Sequence, residues 1–161
     1  MNKEEIIHKL DLKPHVEGGY FRRTYTSDRP FELNSRKRVL LSSIYYLLTD
    51  NQPIGHLHKN QSDIMHYFHS GSSIKYTLIS PQGELQQVVM GKALQCSQQL
   101  QLLVPGGYWK ASELLEGEYA LISEAVFPSF EYEDMQLADH EKIQDNYPEH
   151  YHELKHLIIQ K

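Results

Sequence analysis

Cysteine, long apolar runs and clustered positive charge are all scarce in this sequence of 161 residues. Its one cysteine, Cys96, cannot form an internal disulfide, which favours a reducing compartment. No apolar run approaches the ~20 residues that a membrane-spanning helix needs. The first residues are acidic, whereas a signal peptide begins with basic residues. These absences predict a cytoplasmic protein with no membrane partner.

Basic residues are too few and too scattered to indicate nucleic-acid binding. The chain has 16 Lys and Arg against 21 Asp and Glu, a formal net charge of -5. Nucleic-acid-binding domains concentrate positive charge on one face, and the densest basic spot, 36–38, is only three residues long. We therefore expect no nucleic-acid partner.

Short strand-like runs separated by turn residues occupy most of the chain. The turn signals recur at intervals on the order of ten residues, which is typical of an all-β sandwich or barrel. The polar stretch 27–38, which contains Pro30, is predicted to be a loop. The strand-like runs are 20–26, 39–48, 64–69, 74–79, 85–90, 100–104 and 119–126.

Helical periodicity is confined to the two ends of the sequence. Residues 3–10 predict a short amphipathic helix with Asn2 as its cap. Residues 139–146 and 148–159 predict two more, with Pro148 in the first turn of the second. A chain of this length fits one domain. We expect residues 1–161 to form a single domain whose helical tail, about 136–161, packs on the barrel.

Four histidines lie close together in the middle of the chain: His56, His58, His66 and His69. On a regular strand, residues two apart point to the same face, so His56 and His58 could converge on one point. Converging imidazoles can bind a transition metal. Exposed polar strand residues would produce the same pattern.

Two segments resemble the paired motifs of cupins. Residues 55–71 match the first motif, a glycine-flanked H-x-H followed by a glutamate, six residues and a glycine; counting back from Gly71 places Ile64 where the glutamate would stand. Residues 105–110 are similar to the second motif, P-x-G-x-x-H, with Lys110 at the position of its histidine.

The resemblance extends to one subgroup, the Cupin_5 family of the RmlC-like cupin superfamily, over roughly residues 5–152. It implies an all-β, double-stranded β-helix (a jelly-roll or cupin barrel) with short N-terminal and C-terminal helices. It also implies a pocket inside the barrel and assembly as a homodimer. The segments that carry the resemblance are 12–25, 42–48, 79–83, 126–134 and 147–150.

The departures from the cupin motifs bear on metal binding. Isoleucine offers no lone pair, and a protonated lysine repels a divalent cation. Two imidazoles alone make a poor site, since catalytic metal sites usually have three protein ligands. We therefore expect no cofactor. A divalent transition metal held by His56 and His58, completed by His66, remains the alternative.

The candidate catalytic residues are His56, His58, His66 and Lys110. The resulting hypothesis is a metal-independent isomerase or epimerase acting on a small polar or anionic, sugar-like molecule. A histidine would serve as general base, and Lys110 would serve as acid or electrostatic stabiliser. The alternatives are a metal-dependent cupin enzyme and a non-catalytic binding or sensing module.

Three further residues are expected to contact the ligand: Glu17, Phe68 and Trp109. Glu17 precedes a Gly-Gly pair and could act as an acid or base, or cap the turn. Arg22 and Arg23 lie on opposite faces of one strand. One of them could bind an anionic ligand, or form a surface ion pair.

Overall fold

The computed structural model describes residues 1–33 and 35–160, and strands account for most of its regular secondary structure. The elements in chain order are α1 (Lys3–Lys9), β1 (Lys13–Pro14), β2 (Tyr20–Thr26), β3 (Pro30–Leu33), β4 (Arg36–Val39), β5 (Ser42–Thr49), β6 (Ile54–Asn60), β7 (Asp63–Gly71), β8 (Ile74–Ile79), β9 (Leu85–Met90), β10 (Gln101–Val104), β11 (Trp109–Leu114), β12 (Tyr119–Phe127), β13 (Met135–Leu137), α2 (His140–Asn146) and α3 (Pro148–Leu154).

Two antiparallel sheets form the barrel. The six-stranded sheet has the order β1-β2-β5-β12-β7-β10, and the five-stranded sheet has the order β13-β6-β11-β8-β9. Sequence neighbours are often not spatial neighbours, as expected where two sheets are wound together into a jelly roll. The all-β prediction with short terminal helices is confirmed.

The main core lies between the two sheets, where inward-facing residues of alternating strands meet. Alternation is clearest in β12, where every second residue from Ala120 to Val126 faces inward. Burial of these apolar side chains is the main favourable contribution to the free energy of folding. The fully buried members include Leu48, Ile74, Met90 and Ile122.

Helices cover parts of the outer faces. The C-terminal helices pack Ile143 and Leu154 against Trp109, which is only 2% exposed, on the outside of the five-stranded sheet. Helix α1 packs Ile6 against Leu47 of the six-stranded sheet. Asn2 caps α1 with a capping box, as its sequence predicts. No helix among residues 1–33 and 35–160 is long and apolar enough to cross a membrane.

The stretch 27–38 is not the predicted loop. It contains most of a two-stranded hairpin, β3 paired with β4. This hairpin forms a small sheet of its own, and most of its residues are exposed. A two-stranded sheet with little core contact need not show apolar alternation, which explains why the sequence pattern missed it.

A β-bulge interrupts β6 at the histidine motif. Against β11, His58 pairs with Lys110 and Gly55 pairs with Ser112, so two residues of β6 oppose the single residue Ala111. A bulge shifts the inward–outward alternation by one residue. Gly55 and His58 therefore both face the barrel interior. A Cβ added at Gly55 would lie 2.6 Å from the Tyr46 hydroxyl, which explains why glycine is needed there.

Candidate functional site

A cavity of about 580 Å³ opens between the two sheets. Its walls combine apolar side chains with ionisable groups, which is typical of small-molecule sites. The inner part carries His15, Glu17, Tyr46, His58, Ile64, Lys110 and Glu124. Around these lie Phe21, Arg23, Ile44, Asn60, Val126, Phe130, Glu131, Tyr132 and Glu133.

Glu17 and His58 form the first polar pair of the cavity. The carboxylate Oε2 of Glu17 lies 3.2 Å from Nε2 of His58 and 3.6 Å from Nδ1 of His15. Both Glu17 and His58 are nearly inaccessible to solvent, at 8% and 5% exposure. The other His58 nitrogen, Nδ1, lies 2.7 Å from the His56 carbonyl and donates to it. This bond leaves the His58 Nε2 lone pair facing Glu17.

The glycine turn after Glu17 brings it close to β6. Gly18 has φ +95°, and a Cβ at this position would lie 2.2 Å from the Ile54 carbonyl oxygen. Only glycine permits both this backbone conformation and this approach. Two hydrogen bonds fix the turn: the Tyr46 hydroxyl donates to the Gly18 carbonyl at 2.9 Å, and the His56 N–H donates to the Glu17 carbonyl at 2.6 Å.

The protonation of this pair is opposite to that expected in water. Burial raises the pKa of Glu17 to about 8, although the Lys110 ammonium acts against the shift. Burial lowers the pKa of His58 to about 3, and here the Lys110 charge adds to the effect. Burial also lowers the pKa of His15 to about 4. At neutral pH the Glu17 carboxyl therefore carries the shared proton and donates it to His58 Nε2.

Lys110, His66 and Glu124 form the second polar group. The Lys110 ammonium lies 2.9 Å from His66 Nε2 and 3.3 Å from Glu124 Oε1. His66 Nδ1 donates to the Leu102 carbonyl at 3.2 Å, so Nε2 accepts from the ammonium. Lys110 and His66 are buried, and the Glu124 side chain is 12% exposed; the three are held by β11, β7 and β12. We call these three residues, together with Glu17 and His58, the polar floor.

The polar floor has a net charge of zero at neutral pH. Burial opposes the ionisation of Glu124. The Lys110 ammonium and His66 outweigh burial and hold the pKa of that carboxyl well below its usual range. Burial, followed by the charge of Lys110, lowers the pKa of His66, so this imidazole is neutral. One ammonium and one carboxylate therefore neutralise each other beside an uncharged Glu17–His58 pair.

Glu124 belongs to a row of four residues that crosses the six-stranded sheet. Arg23 pairs with Ile44, Ile44 pairs with Glu124, and Glu124 pairs with His66. Residues directly opposite one another project from the same face of a sheet. We call these four residues the Glu124 row. Three of them, Arg23, Ile44 and Glu124, line the cavity.

The structure brings together four of the residues singled out in the sequence. Glu17, His58 and Lys110 line the cavity. His66 is fully buried directly behind Lys110. The expected convergence of Lys110 with His58 thus agrees with the geometry.

His56 does not share a face with His58, because the bulge in β6 intervenes. Its Nδ1 lies 3.2 Å from the Leu157 carbonyl, on the side where the C-terminal tail packs. It does not line the cavity, so the expected His56–His58 convergence is corrected. His69 lies outside as well, with Nε2 2.9 Å from the Ser123 hydroxyl.

Phe68 and Trp109 were expected to contact the ligand, but neither lines the cavity. Phe68 packs against the main core. Trp109 lies beneath the C-terminal helices, on the outer side of β11, with the Lys59 ammonium 4.9 Å from its ring centroid. Trp109 neighbours Lys110 in the strand, and strand alternation sends the two side chains to opposite faces.

Sequence reasoning missed Glu124 and His15. Glu124 did leave a signal, because it is the one charged residue within the strand 119–127, where a buried acid needs a partner. His15 left none, since it lies in a turn segment and reaches the cavity only through the folded N-terminal region. Its ring packs edge-on against Phe21, with 4.4 Å between ring centroids.

The polar floor does not fit a divalent metal. Among the described residues, no three His, Cys, Asp or Glu side chains are arranged to hold one. Ile64 lines the cavity where the cupin motif has its glutamate. The Lys110 ammonium already contacts both His66 and Glu124, and its positive charge would repel a second cation.

Comparison with known proteins agrees with the fold. Uncharacterized protein YML079W of Saccharomyces cerevisiae is 35% identical over 172 residues, covering 96% of this chain and 79% of the yeast protein. Protein SO0799 of Shewanella oneidensis superposes with a TM-score of 0.92 at 34% identity, covering 100% of this chain and 99% of that one.

Oxalate decarboxylase from Bacillus subtilis superposes with a TM-score of 0.56 at 18% identity, covering 92% of this chain and 37% of that one. At this identity the likeness concerns the fold alone. The family described as Cupin superfamily (DUF985) matches residues 4–138, most of the chain. The barrel, its internal cavity and this match agree: the chain belongs to the Cupin_5 family of the cupin superfamily.

Proposed function

We propose that this protein is a metal-independent isomerase or epimerase that moves a proton next to the carbonyl group of a small, sugar-like molecule. The observation that carries the proposal is the Glu17–His58 pair, 3.2 Å apart and buried in a cavity that also presents an ammonium group. Acid–base pairs with shifted pKa values are concentrated at catalytic sites.

The pair supplies the base. When Glu17 is ionised, the pair takes up one proton, and its raised pKa makes it a stronger base than an ordinary carboxylate. It removes the proton from the carbon next to the substrate carbonyl. The electrons of that C–H bond form a C=C bond, and negative charge develops on the carbonyl oxygen. Passage of the adjacent hydroxyl proton to the carbonyl oxygen, with return of the abstracted proton to the former carbonyl carbon, gives isomerisation. Delivery of a proton from water to the opposite face of the deprotonated carbon gives epimerisation, and the pair then releases its own proton to the solvent.

Lys110 supplies the electrostatic stabilisation. Its ammonium is fixed by His66 and Glu124, so it is already oriented towards an oxygen that becomes negative during the reaction. A preoriented charge in a site shielded from water stabilises such an oxyanion without reorganisation. Lys110 therefore has the role of electrophile, and His66 positions it.

The neutral charge of the polar floor favours an uncharged reacting end of the substrate. An isolated Lys110 would attract an anion, but Glu124 already neutralises it. Hydroxyl and carbonyl groups can pair with Lys110, Glu17 and His58 without adding net charge. A hydroxy-aldehyde or hydroxy-ketone has this chemistry.

Hydrogen–deuterium exchange tests the proposal without knowledge of the product. The protein is incubated in deuterium oxide with a panel of aldoses and ketoses, and NMR follows deuterium incorporation next to the carbonyl. We expect exchange with the wild-type protein, strong loss in Glu17→Gln and His58→Ala, and near-normal exchange in His56→Ala. Ligand-induced thermal stabilisation without exchange would instead indicate a binding module.

A further inference from the structure

The two adjacent arginines of β2 have different environments. Arg22 lies on the outer face, with its guanidinium 6.0 Å from the Tyr45 ring centroid. Arg23 lines the cavity. It donates one hydrogen bond to the Phe130 carbonyl at 3.2 Å, and its guanidinium lies 5.9 Å from the Phe130 ring centroid. Arg23 is therefore the one available to a ligand.

The other arginines near this end of the cavity already have carboxylate partners. Arg38 contacts Glu131 at 3.0 Å and Asp134 at 2.6 Å. Arg36 contacts Glu133 at 2.8 Å and Glu131 at 3.4 Å. These contacts also engage the carboxylates that line the cavity near Arg23.

Arg23 itself has no carboxylate within 4.0 Å among residues 1–33 and 35–160. A guanidinium has five N–H donors in a fixed plane, and one hydrogen bond leaves most of them free. The surface ion pair considered from the sequence is thus not formed among these residues. An anion entering the cavity would find unused donors here.

Strand register gives the distance between this arginine and the reacting groups. In the Glu124 row, one residue, Ile44, separates Arg23 from Glu124. Adjacent strands lie about 4.8 Å apart, so the two backbones are about 10 Å apart. Between them lies the apolar side chain of Ile44, and Phe21 lines the cavity two residues along β2 from Arg23.

We propose that Arg23 binds an anionic group at the far end of the substrate, so that the substrate is an elongated hydroxy-carbonyl compound ending in phosphate or carboxylate. This inference rests on the proposed function, which places the carbonyl end at Lys110. An arginine pairs with either anion through two parallel hydrogen bonds. The polar floor selects the neutral end and Arg23 selects the charged end.

Matched pairs of compounds test this inference by binding alone. Dissociation constants are measured by calorimetry for ribose and ribose 5-phosphate, and for galactose and galacturonate. We expect wild-type protein to prefer the charged member of at least one pair by on the order of tenfold. The pair that shows the preference identifies phosphate or carboxylate. The preference should weaken as salt concentration rises.

Arg23→Gln should remove the preference and leave binding of the neutral sugars within about twofold. Arg22→Gln is the matched control and should retain it, and Arg23→Lys should retain part of it. The inference is overturned if neither charged compound is preferred, or if Arg23→Gln keeps the preference. It is also overturned if that variant loses neutral sugars equally, because Arg23 would then only hold the Phe130 segment in place.

The outcome is separable from that of the proposed function. An Arg23-dependent preference without deuterium exchange would leave the anion site standing and reject the enzyme. Exchange with neutral sugars but no preference for charged ones would support the enzyme and reject the anion site.

Discussion

The Lys110 ammonium and the His66 imidazole meet across the barrel, 2.9 Å apart, from strands in opposite sheets. Glu124 completes the contact from the strand next to His66. One cation, one anion and one neutral ring therefore bridge the two layers inside the barrel. This arrangement leads to predictions for stability, pH dependence and metal binding.

Removing Lys110 should destabilise the protein strongly. Lys110→Met leaves the Glu124 carboxylate buried without its cation, and breaking such a pair costs about 3–5 kcal/mol. The double variant Lys110→Met/Glu124→Gln should recover much of that loss, because both charges are gone. Urea denaturation of the four proteins measures the coupling. Simple addition of the two single effects would show that the groups do not act as a pair.

Stability should be greatest near pH 6.5 and fall on both sides. Above pH 6.5, Glu17 keeps its proton in the folded state, where its pKa is about 8. In the unfolded state its carboxyl has a pKa of 4.5 and is already ionised. The folded state then binds the extra proton, so stability decreases as pH rises, by about 1.4 kcal/mol per pH unit at most. Below pH 6.5, His15 and His58 bind protons only when unfolded, so stability decreases as pH falls.

Glu17→Gln isolates the alkaline limb of this profile. Since glutamine does not ionise, the free energy of unfolding of the variant should no longer decrease between pH 6.5 and 8 because of residue 17. It should still decrease as the pH falls below 6.5. Thermal or urea unfolding across pH 4–9 measures both limbs. A wild-type profile that rises from pH 6.5 to 8 would contradict the assignment of the proton to Glu17.

Lys110 should also exclude metal ions, and replacing it should admit them. Wild-type protein is expected to bind no divalent transition ion stoichiometrically. Lys110→His removes the positive charge and adds an imidazole beside His66 Nε2 and Glu124 Oε1, which lie 3.2 Å apart. Three ligands of this kind suit Zn²⁺ or Co²⁺. Calorimetry and the visible spectrum of added Co²⁺ report binding, with Lys59→His as the control. About one metal per wild-type chain would refute the argument.

His56 and His58 should behave differently despite their spacing in sequence. His56→Ala removes the contact with the Leu157 carbonyl and should lower stability by about 1 kcal/mol. It should leave deuterium exchange within about twofold of wild type. His58→Ala should abolish exchange. Equal loss in the two variants would mean that both imidazoles reach the substrate.

Assembly, compartment and domain organisation remain predictions from the sequence. We expect sedimentation to show a homodimer, roughly twice the 18.8 kDa chain. A monomer alone at micromolar concentration would contradict this.

Fractionation of the native cell should recover the protein in the cytoplasm. A single cooperative unfolding transition is expected if residues 1–161 form one domain.

Local patterns were sufficient for most of the fold. Strand-like runs between turn residues indicated β7, β8, β9, β10 and β12, and Asn2 and Pro148 indicated helix starts. These features depend on near neighbours in sequence, which a pattern can register. The hairpin β3–β4 escaped because its residues are mostly exposed. The predicted second C-terminal helix is shorter than expected, ending at Leu154 and continuing as a 3-10 turn.

The site was predictable only in part. Lys110 and His58 were found because the cupin motifs placed them. His66 was found from regular alternation with Ile64, which holds in β7 at these positions. The same alternation failed for His56, since nothing in the local sequence marks the bulge. Glu124 and His15 required knowledge of which strands and turns meet, which is a tertiary property.

The extra residue in β6 makes this strand sensitive to changes in length. Deleting Leu57 would leave Gly55 and His58 two residues apart in a regular ladder opposite Lys110 and Ser112. His56 would then sit directly opposite Ala111 and still face the tail, so the barrel could keep both of its inward-facing residues. Inserting one more residue would keep His58 on the inward face of a regular ladder but move it from its position opposite Lys110 to the next inward position, roughly 6.6 Å along the strand and away from Glu17. Shortening between these two positions should therefore keep the polar floor intact, although the buried side chain of Leu57 is lost, whereas lengthening should displace His58 from it.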